Sequence, residues 1–269
     1  CVFVCSPNNP TGNRLKNVER LLNEFQGIVV VDEAYIDFCT DPGFASKVQE
    51  YPNLIVTRTF SKAWALASAR VGIAYANEEI IGLMSKTKPP YNVSALNQSA
   101  ALDALSKPQK FEYRLGVILE QRSLLEEELL KLPMVRKIYP SDANFLLVEV
   151  DNANDLYRHL VEKKVIVRNR HSVVPGCIRI TVGTPDENQT LLEALKNYNF
   201  PPYGEEFQIL IVRAKFDEAE LSTDERKPIR YRNVKDEHFN YMNMYPEGKY
   251  VKESSKYFKK ALLALGEEE

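Results

Sequence analysis

The sequence has 269 residues, of which 44% are hydrophobic and 27% charged, with a formal net charge of −2 at pH 7. That length accommodates one large domain or two ordinary ones, and the composition is that of a chain able to bury a core. Both charge signs are well mixed, which argues against nucleic acid or an anionic membrane as the main partner. No apolar run approaches the roughly 20 residues that span a bilayer.

The chain opens with CVFVCS, which reads as a core strand already under way, without an initiator Met or signal peptide. Upstream sequence is therefore expected. CVFVCS, GIVVVDEAY, NLIVTRTFS and VGIAYA are short, Val- and Ile-rich and bounded by turn residues, so they read as strands. Between the first two, Leu15, Val18, Leu21, Leu22 and Phe25 recur at helical spacing, predicting a helix over 13–25. Strands apolar on both faces and alternating with helices indicate an α/β fold with a largely parallel sheet. Helices follow over 78–86, 95–105 and 109–130, the last carrying Phe111, Leu115, Ile118, Leu119, Leu125 and Leu129 on one side.

VRKIYPS, NFLLVEV, VIVRNR and CIRITVG then read as strands, with helices over 155–163 and 187–197, giving a small α+β unit. The expected organisation is a partial large domain over 1–108, a connecting helix over 109–131, a small domain over 132–198 and a tail over 199–269. In the tail, Pro201-Pro202 and Tyr203-Gly204 suggest a linker, QILIVRAKF and IRYRNV read as strands, HFNYMNMYPEGKY as loop, and 254–265 as an amphipathic helix. Cys1, Cys5, Cys39 and Cys177 form no CxxC pair, and the three histidines lie far apart. Buried reduced thiols in the cytosol are expected, rather than a disulfide framework or a metal site.

Several chemistry-bearing residues sit in loops that follow successive strands. Asn9 lies in SPNNPTG, Asp32 ends GIVVVD with Tyr35 three residues on, and Lys62 lies in TFSKAW between Thr59, Ser61 and Arg70. Ligands of open α/β folds bind at such strand ends. Singly, each has an ordinary reading: a solvated lysine, an Asp that caps a turn, a good NNPTG turn, a surface cation. Together and in this order they supply what pyridoxal phosphate needs: a lysine for its aldehyde, a carboxylate for its ring nitrogen, donors for its ring oxygen and a grip for its phosphate. Asp32, ending so apolar a strand, is expected to be buried or nearly so, where a pyridinium would pair it.

The motifs SPNNPTG, VVVDEAYIDF and TFSKAWALASARVG, continued by KPPYNVS, SDANFLLVEV, VIVRNR and GCIRITVGT, closely resemble the fold-type-I, pyridoxal-phosphate-dependent aminotransferases. Within them the histidinol-phosphate aminotransferase family is the most similar, over residues 1–197. The resemblance implies that Lys62 forms the Schiff base, Asp32 pairs with the pyridinium, and Tyr35 and Asn9 donate to the ring oxygen. Thr59, Ser61 and Arg70 would hold the phosphate. Arg179 matches an arginine for the acidic group of the amino donor or substrate. Arg168 matches a second arginine near the substrate phosphate, although RNR reads equally well as an exposed edge. The implied reaction is ping-pong transfer of an amino group between L-histidinol phosphate and 2-oxoglutarate, in a cytoplasmic homodimer of the histidine-biosynthesis route. Two rivals stand beside it: another reaction on the same scaffold, such as threonine-phosphate decarboxylation or aromatic transamination, and an inactive truncated chain. Family members also carry a long preceding segment that helps to hold the cofactor, so the chain by itself is expected to be a weak catalyst. The tail after Asn197 is a second departure.

Overall fold

In the computed structural model, which describes residues 1–198 and 204–267, the Val- and Ile-rich runs of the first third pair into one sheet. Strands β1 (Val2–Cys5), β2 (Val29–Asp32), β3 (Leu54–Thr59) and β4 (Gly72–Tyr75) lie in that order. β1, β2 and β3 are parallel, and β4 returns antiparallel to β3. Val29, Val31, Leu54 and Val56 are 0% exposed. They pack with Val18 and Leu22 of helix α1 (Val18–Glu24). Full burial of each such side chain stabilises the fold by roughly 1.5–3 kcal/mol.

Helix α1 starts five residues later than its apolar spacing predicts, because the preceding backbone donors are committed elsewhere. The Arg14 amide donates to Asp142 Oδ2 at 3.3 Å and the Leu15 amide to Ser6 Oγ at 3.1 Å. These bonds hold residues 14 and 15 in the loop between Ser6 and Asp142, ahead of the helix. Asn17, in the left-handed region at φ 64°, then turns the chain into α1.

Helices α2 (Glu78–Thr87), α3 (Ala95–Leu105) and α4 (Pro108–Leu130) follow. Asn77 and Ser94 cap the first two by accepting from the Ile80 and Asn97 amides, and Pro108 opens the third, where its missing N–H costs nothing. α4 serves two cores. Phe111, Leu115, Ile118 and Leu119 pack on Tyr35, Phe38, Ala63, Ala143 and Phe145. Leu125 and Leu129 enter the core of a second sheet.

That sheet is antiparallel throughout and comprises β5 (Val135–Tyr139), β6 (Phe145–Val150), β7 (Arg168–Asn169) and β8 (Cys177–Thr181), in the order β5-β6-β8-β7. Leu146, Val148, Ile178 and Ile180 face helices α5 (Ala153–Glu162) and α6 (Pro185–Lys196). Their alternating neighbours Phe145, Leu147 and Arg179 lie on the opposite face. α6 starts on a capping box: Thr184 Oγ1 accepts from the Glu187 amide at 3.3 Å, and Glu187 Oε2 accepts from the Thr184 amide at 2.8 Å. β7 is shorter than VIVRNR predicts, since the Val165 amide closes the end of α5 on the Leu160 carbonyl at 2.8 Å, and Lys164 is left-handed at φ 61°.

Residues 1–198 form one compact unit and residues 204–267 another. The second consists of α7 (Gly204–Glu220), α8 (Lys227–Met244) and α9 (Val251–Leu265). This corrects the strands expected from QILIVRAKF and IRYRNV, both of which are helical. Ile209, Val212, Phe216 and Ala219 recur on one side of α7, and Tyr231, Val234, His238 and Tyr241 on one side of α8. A brief apolar run suits a strand or a helix equally; the longer 3.6-residue period decides. HFNYMNM likewise belongs to α8 rather than to a loop. Of the expected linker, 201–203 lie outside the described residues, and Gly204 opens α7.

Only Cys177 is fully buried; Cys39 is half-buried, and Cys1 and Cys5 are exposed, which corrects the expectation of buried thiols. Cys5 alternates with the buried Val4 on β1 and so falls on the open face. Among the described residues no helix is long and apolar enough to cross a membrane.

Candidate active site

The loops after β1, β2 and β3 converge with β8 of the second sheet. Asp32 is the last residue of β2, level with Cys5 on β1 and Thr57 on β3. Its Oδ1 accepts from the Ala34 amide at 3.1 Å and from Thr57 Oγ1 at 3.4 Å. Both donors lie on one oxygen, and no described cation pairs with the carboxylate. Asp32 is half-buried rather than buried, because the strand ends there and its carboxylate emerges at the sheet edge.

The next residue, Glu33, is buried and went unnoticed in the sequence. Glu33 Oε1 accepts from the Phe44 amide at 2.5 Å, and Oε2 takes Arg58 Nε at 2.9 Å and Nη2 at 2.8 Å. Burial pushes the Glu33 carboxyl up from its ordinary range, opposed by the Phe44 amide and the Arg58 guanidinium. Gly43 permits this: its φ is +77°, and a Cβ there would lie 2.3 Å from Glu33 Oε1. The pair ties the Asp32 loop to β3, the strand that leads to Lys62.

Beyond β3 the chain folds back on itself. The Phe60 amide donates to the Val71 carbonyl at 3.1 Å and the Ala65 amide to the Lys62 carbonyl at 2.9 Å. Trp64 stacks on Phe111 of α4 with centroids 4.1 Å apart, and Ala63 is buried. The anchored neighbours leave Lys62 exposed, with Nζ 5.2 Å from the centre of the Tyr35 ring. No hydrogen bond or ion pair holds that amine among the described residues. Thr59 Oγ1 accepts from the Ser61 amide at 3.0 Å. Arg70, left-handed at φ 53°, is exposed and donates to the Ala67 carbonyl at 3.0 Å. Thr59, Ser61 and Arg70 thus share the Lys62 loop, while the bonds they make are local.

Tyr35 is buried and meets Phe145 of β6 edge to face, with centroids 5.2 Å apart at 88°. Arg179 also meets Phe145, its Cζ 4.9 Å from the ring centre. Arg179 Nη1 donates to Asn9 Oδ1 at 2.6 Å, across 170 residues of sequence. A continuous path of contacts therefore runs from Lys62 through Tyr35, Phe145 and Arg179 to Asn9. Burial lowers the Arg179 pKa from its ordinary value, Tyr35 opposes this, and Arg170 and Arg168 add to it. Arg168 faces Arg179 across the β7–β8 pair and is exposed. A cavity of about 510 Å³ is lined by Val165, Ile180, Val182 and Leu191, and a smaller one of about 140 Å³ is lined by Thr59, Phe60 and Trp64 of the Lys62 loop.

The arrangement offers an unpaired amine, an unpaired carboxylate, a phenol, an amide and guanidinium groups around one surface. A family model described as aminotransferase class I and II matches residues 1–195. A histidinol-phosphate aminotransferase of Cytophaga hutchinsonii is 50% identical over 201 residues, covering 73% of this chain and 58% of that protein. Among solved structures, the histidinol-phosphate aminotransferase from Clostridium acetobutylicum superposes with a TM-score of 0.67 at 26% identity, covering 72% of this chain and 62% of that one. The L-threonine-O-3-phosphate decarboxylase from Porphyromonas gingivalis superposes with a TM-score of 0.64, also at 26% identity, with the same coverage. The chain thus spans 58% of the length of the curated relative. With the family's model covering the whole Asn9–Arg179 surface, the chain belongs to the class I and II aminotransferases.

Proposed function

We propose that residues 1–198 carry the cofactor and substrate face of a pyridoxal-phosphate-dependent aminotransferase that acts on L-histidinol phosphate and 2-oxoglutarate. The observation that carries this reading is the exposed, unpaired Lys62 amine over Tyr35, with the unpaired Asp32 carboxylate ending the neighbouring strand. Both groups are left available for partners that pyridoxal phosphate provides, so the residues present fit that cofactor. When bound, the cofactor supplies the electron sink that stabilises negative charge on the substrate carbon.

The chain's own groups do the rest. Lys62 Nζ would hold the cofactor aldehyde and is the amine that would carry the proton of the substrate α-carbon. Asp32 Oδ2, which takes neither of these donors, would keep a ring nitrogen protonated, while Ala34 and Thr57 fix the other oxygen. Tyr35 and the Asn9 amide donate to the ring oxygen, and Thr59, Ser61 and Arg70 grip the cofactor phosphate. Arg179 and Arg168 take the acidic groups of the substrates. Soluble small molecules are the partners in this reading, in a cytoplasmic homodimer of the kind implied by the resemblance.

The test is borohydride reduction of the chain loaded with pyridoxal phosphate, followed by peptide mapping. The label is expected on Lys62 and absent from Lys62→Ala. A label on another lysine overturns the assignment. Turnover of histidinol phosphate, set beside threonine phosphate, separates the proposed reaction from decarboxylation.

A further inference from the structure

Where the turn after Lys62 meets α3 and the start of α4 lies a cavity of about 240 Å³, and none of Asn9, Asp32, Tyr35, Lys62 and Arg179 lines it. One wall is apolar. Trp64 stacks on Phe111 with centroids 4.1 Å apart and planes at 19°, and Leu66, Ala100 and Ala104 complete the wall. Both rings are only half-buried, so the stack leaves aromatic surface for a further contact. The turn beneath is held in place: the Ala65 amide donates to the Lys62 carbonyl and the Leu66 amide to the Phe60 carbonyl, both at 2.9 Å, with Ala65 left-handed at φ 58°. A wall already ordered costs little to bind against.

The other wall is cationic. Lys107, Lys110 and Arg114 line it, spaced three and four residues apart and so on one helix face, where like charges repel. The single acid of the cavity, Asp103, is taken by Lys107 Nζ at 2.6 and 2.7 Å. Among the described residues, neither Lys110 nor Arg114 has a hydrogen-bond or ion-pair partner for its side chain.

We propose that this cavity is a binding site for a small aromatic acid, with the ring against Trp64 and Leu66 and the carboxylate on Lys110 and Arg114. The site lies outside the substrate face described above and does not rest on the transamination reading. A simple inorganic anion would pair the two cations and leave the apolar wall in water. A neutral ring would cover that wall and leave the cations unpaired. One planar ring bearing a carboxylate meets both, the guanidinium of Arg114 offering it a two-pronged grip. The volume agrees, since a cavity of about 150 Å³ already holds benzene.

Trp64 is the single tryptophan, so its fluorescence reads the site directly. Titrated into the full chain, benzoate is expected to change the emission saturably, with an affinity at least about tenfold above that of benzyl alcohol, which lacks the charge, and of acetate, which lacks the ring. Lys110 is exposed, and Lys110→Gln is expected to weaken benzoate at least about threefold while leaving benzyl alcohol unchanged. Arg179→Gln is expected to bind benzoate as the unaltered chain does. No saturable response to benzoate overturns the proposal, as does an equal response to benzyl alcohol or to acetate. Loss of the response in Arg179→Gln, with Lys110→Gln unaffected, overturns it too, because benzoate then sits on the substrate face. The comparison of ligands needs only the unaltered chain, and labelling of Lys62 by pyridoxal phosphate is a separate measurement, so failure of either reading leaves the other standing.

Discussion

Replacing Arg58 by Ala isolates what holds the Asp32 loop in place. The Glu33 side chain is 1% exposed and that of Arg58 27%. Without the guanidinium, the Glu33 carboxylate keeps only the Phe44 amide. Removing one partner of a buried pair costs about 3–5 kcal/mol, and the partial exposure of Arg58 places the expected loss near the lower end, about 3 kcal/mol. That is a large share of a domain's stability of about 5–15 kcal/mol. Trp64, the single tryptophan, reports on this unit through its stack on Phe111, so urea unfolding followed by its fluorescence is the assay.

The loss should also depend on pH, with a definite sign. Burial already raises Glu33 in the folded state, and Arg58 opposes that rise. Without Arg58 the folded-state pKa climbs further above the unfolded one. The folded variant then takes up a proton that the unfolded chain does not, and its deficit shrinks as pH falls through that raised value. The difference between Arg58→Ala and the unaltered chain should therefore be larger at about pH 7.5 than at about pH 5. A loss below about 1 kcal/mol, or one equal at both pH values, would refute the buried-pair account.

Arg179→Lys gives up the planar fork on Asn9 and the contact over Phe145. It should raise the KM for the amino acceptor at least about tenfold while leaving pyridoxal-phosphate affinity nearly unchanged; equal weakening of both would make Arg179 structural. In the helical unit, His238 is buried, its Nδ1 2.9 Å from Ser254 Oγ, and burial lowers its pKa. Its contribution to stability should be complete above about pH 6.5 and be lost as pH falls through the lowered value. Circular dichroism melts of the full chain and of His238→Gln check this, and a pH dependence that persists in the variant counts against it.

The strands were legible where apolar runs were short and bounded by turn residues, as in GIVVVD and NLIVTRTFS, and the loops after them exposed Asp32 and Lys62 as candidates. Three features were not. Glu33 and Arg58 are 25 residues apart, and neither has a local pattern that names the other; only the register of β2 on β3 brings them together. The bond between Asn9 and Arg179 depends on how one sheet is set against another. ILIV in QILIVRAKF has the composition of a strand, and its helical stripe becomes visible only when the window reaches Phe216 and Ala219. A buried Glu beside a conspicuous Asp was the one signal at hand: an acid inside an apolar strand end calls for a partner.

Phe145 has a consequence for selectivity. Its ring touches both Tyr35 and Arg179, so it helps to set how far the phenol beside Lys62 stands from the guanidinium on β8. On the function proposed above, the length of substrate accepted then depends on this one close-packed side chain. Phe145→Leu, which removes the ring without adding a polar group, is expected to let Arg179 settle toward Tyr35 and shift preference to shorter anionic substrates, as relative KM values for acceptors of different length would check. On that proposed function, a scaffold gauged by a single side chain can pass from one substrate to another of different length without any change at Lys62.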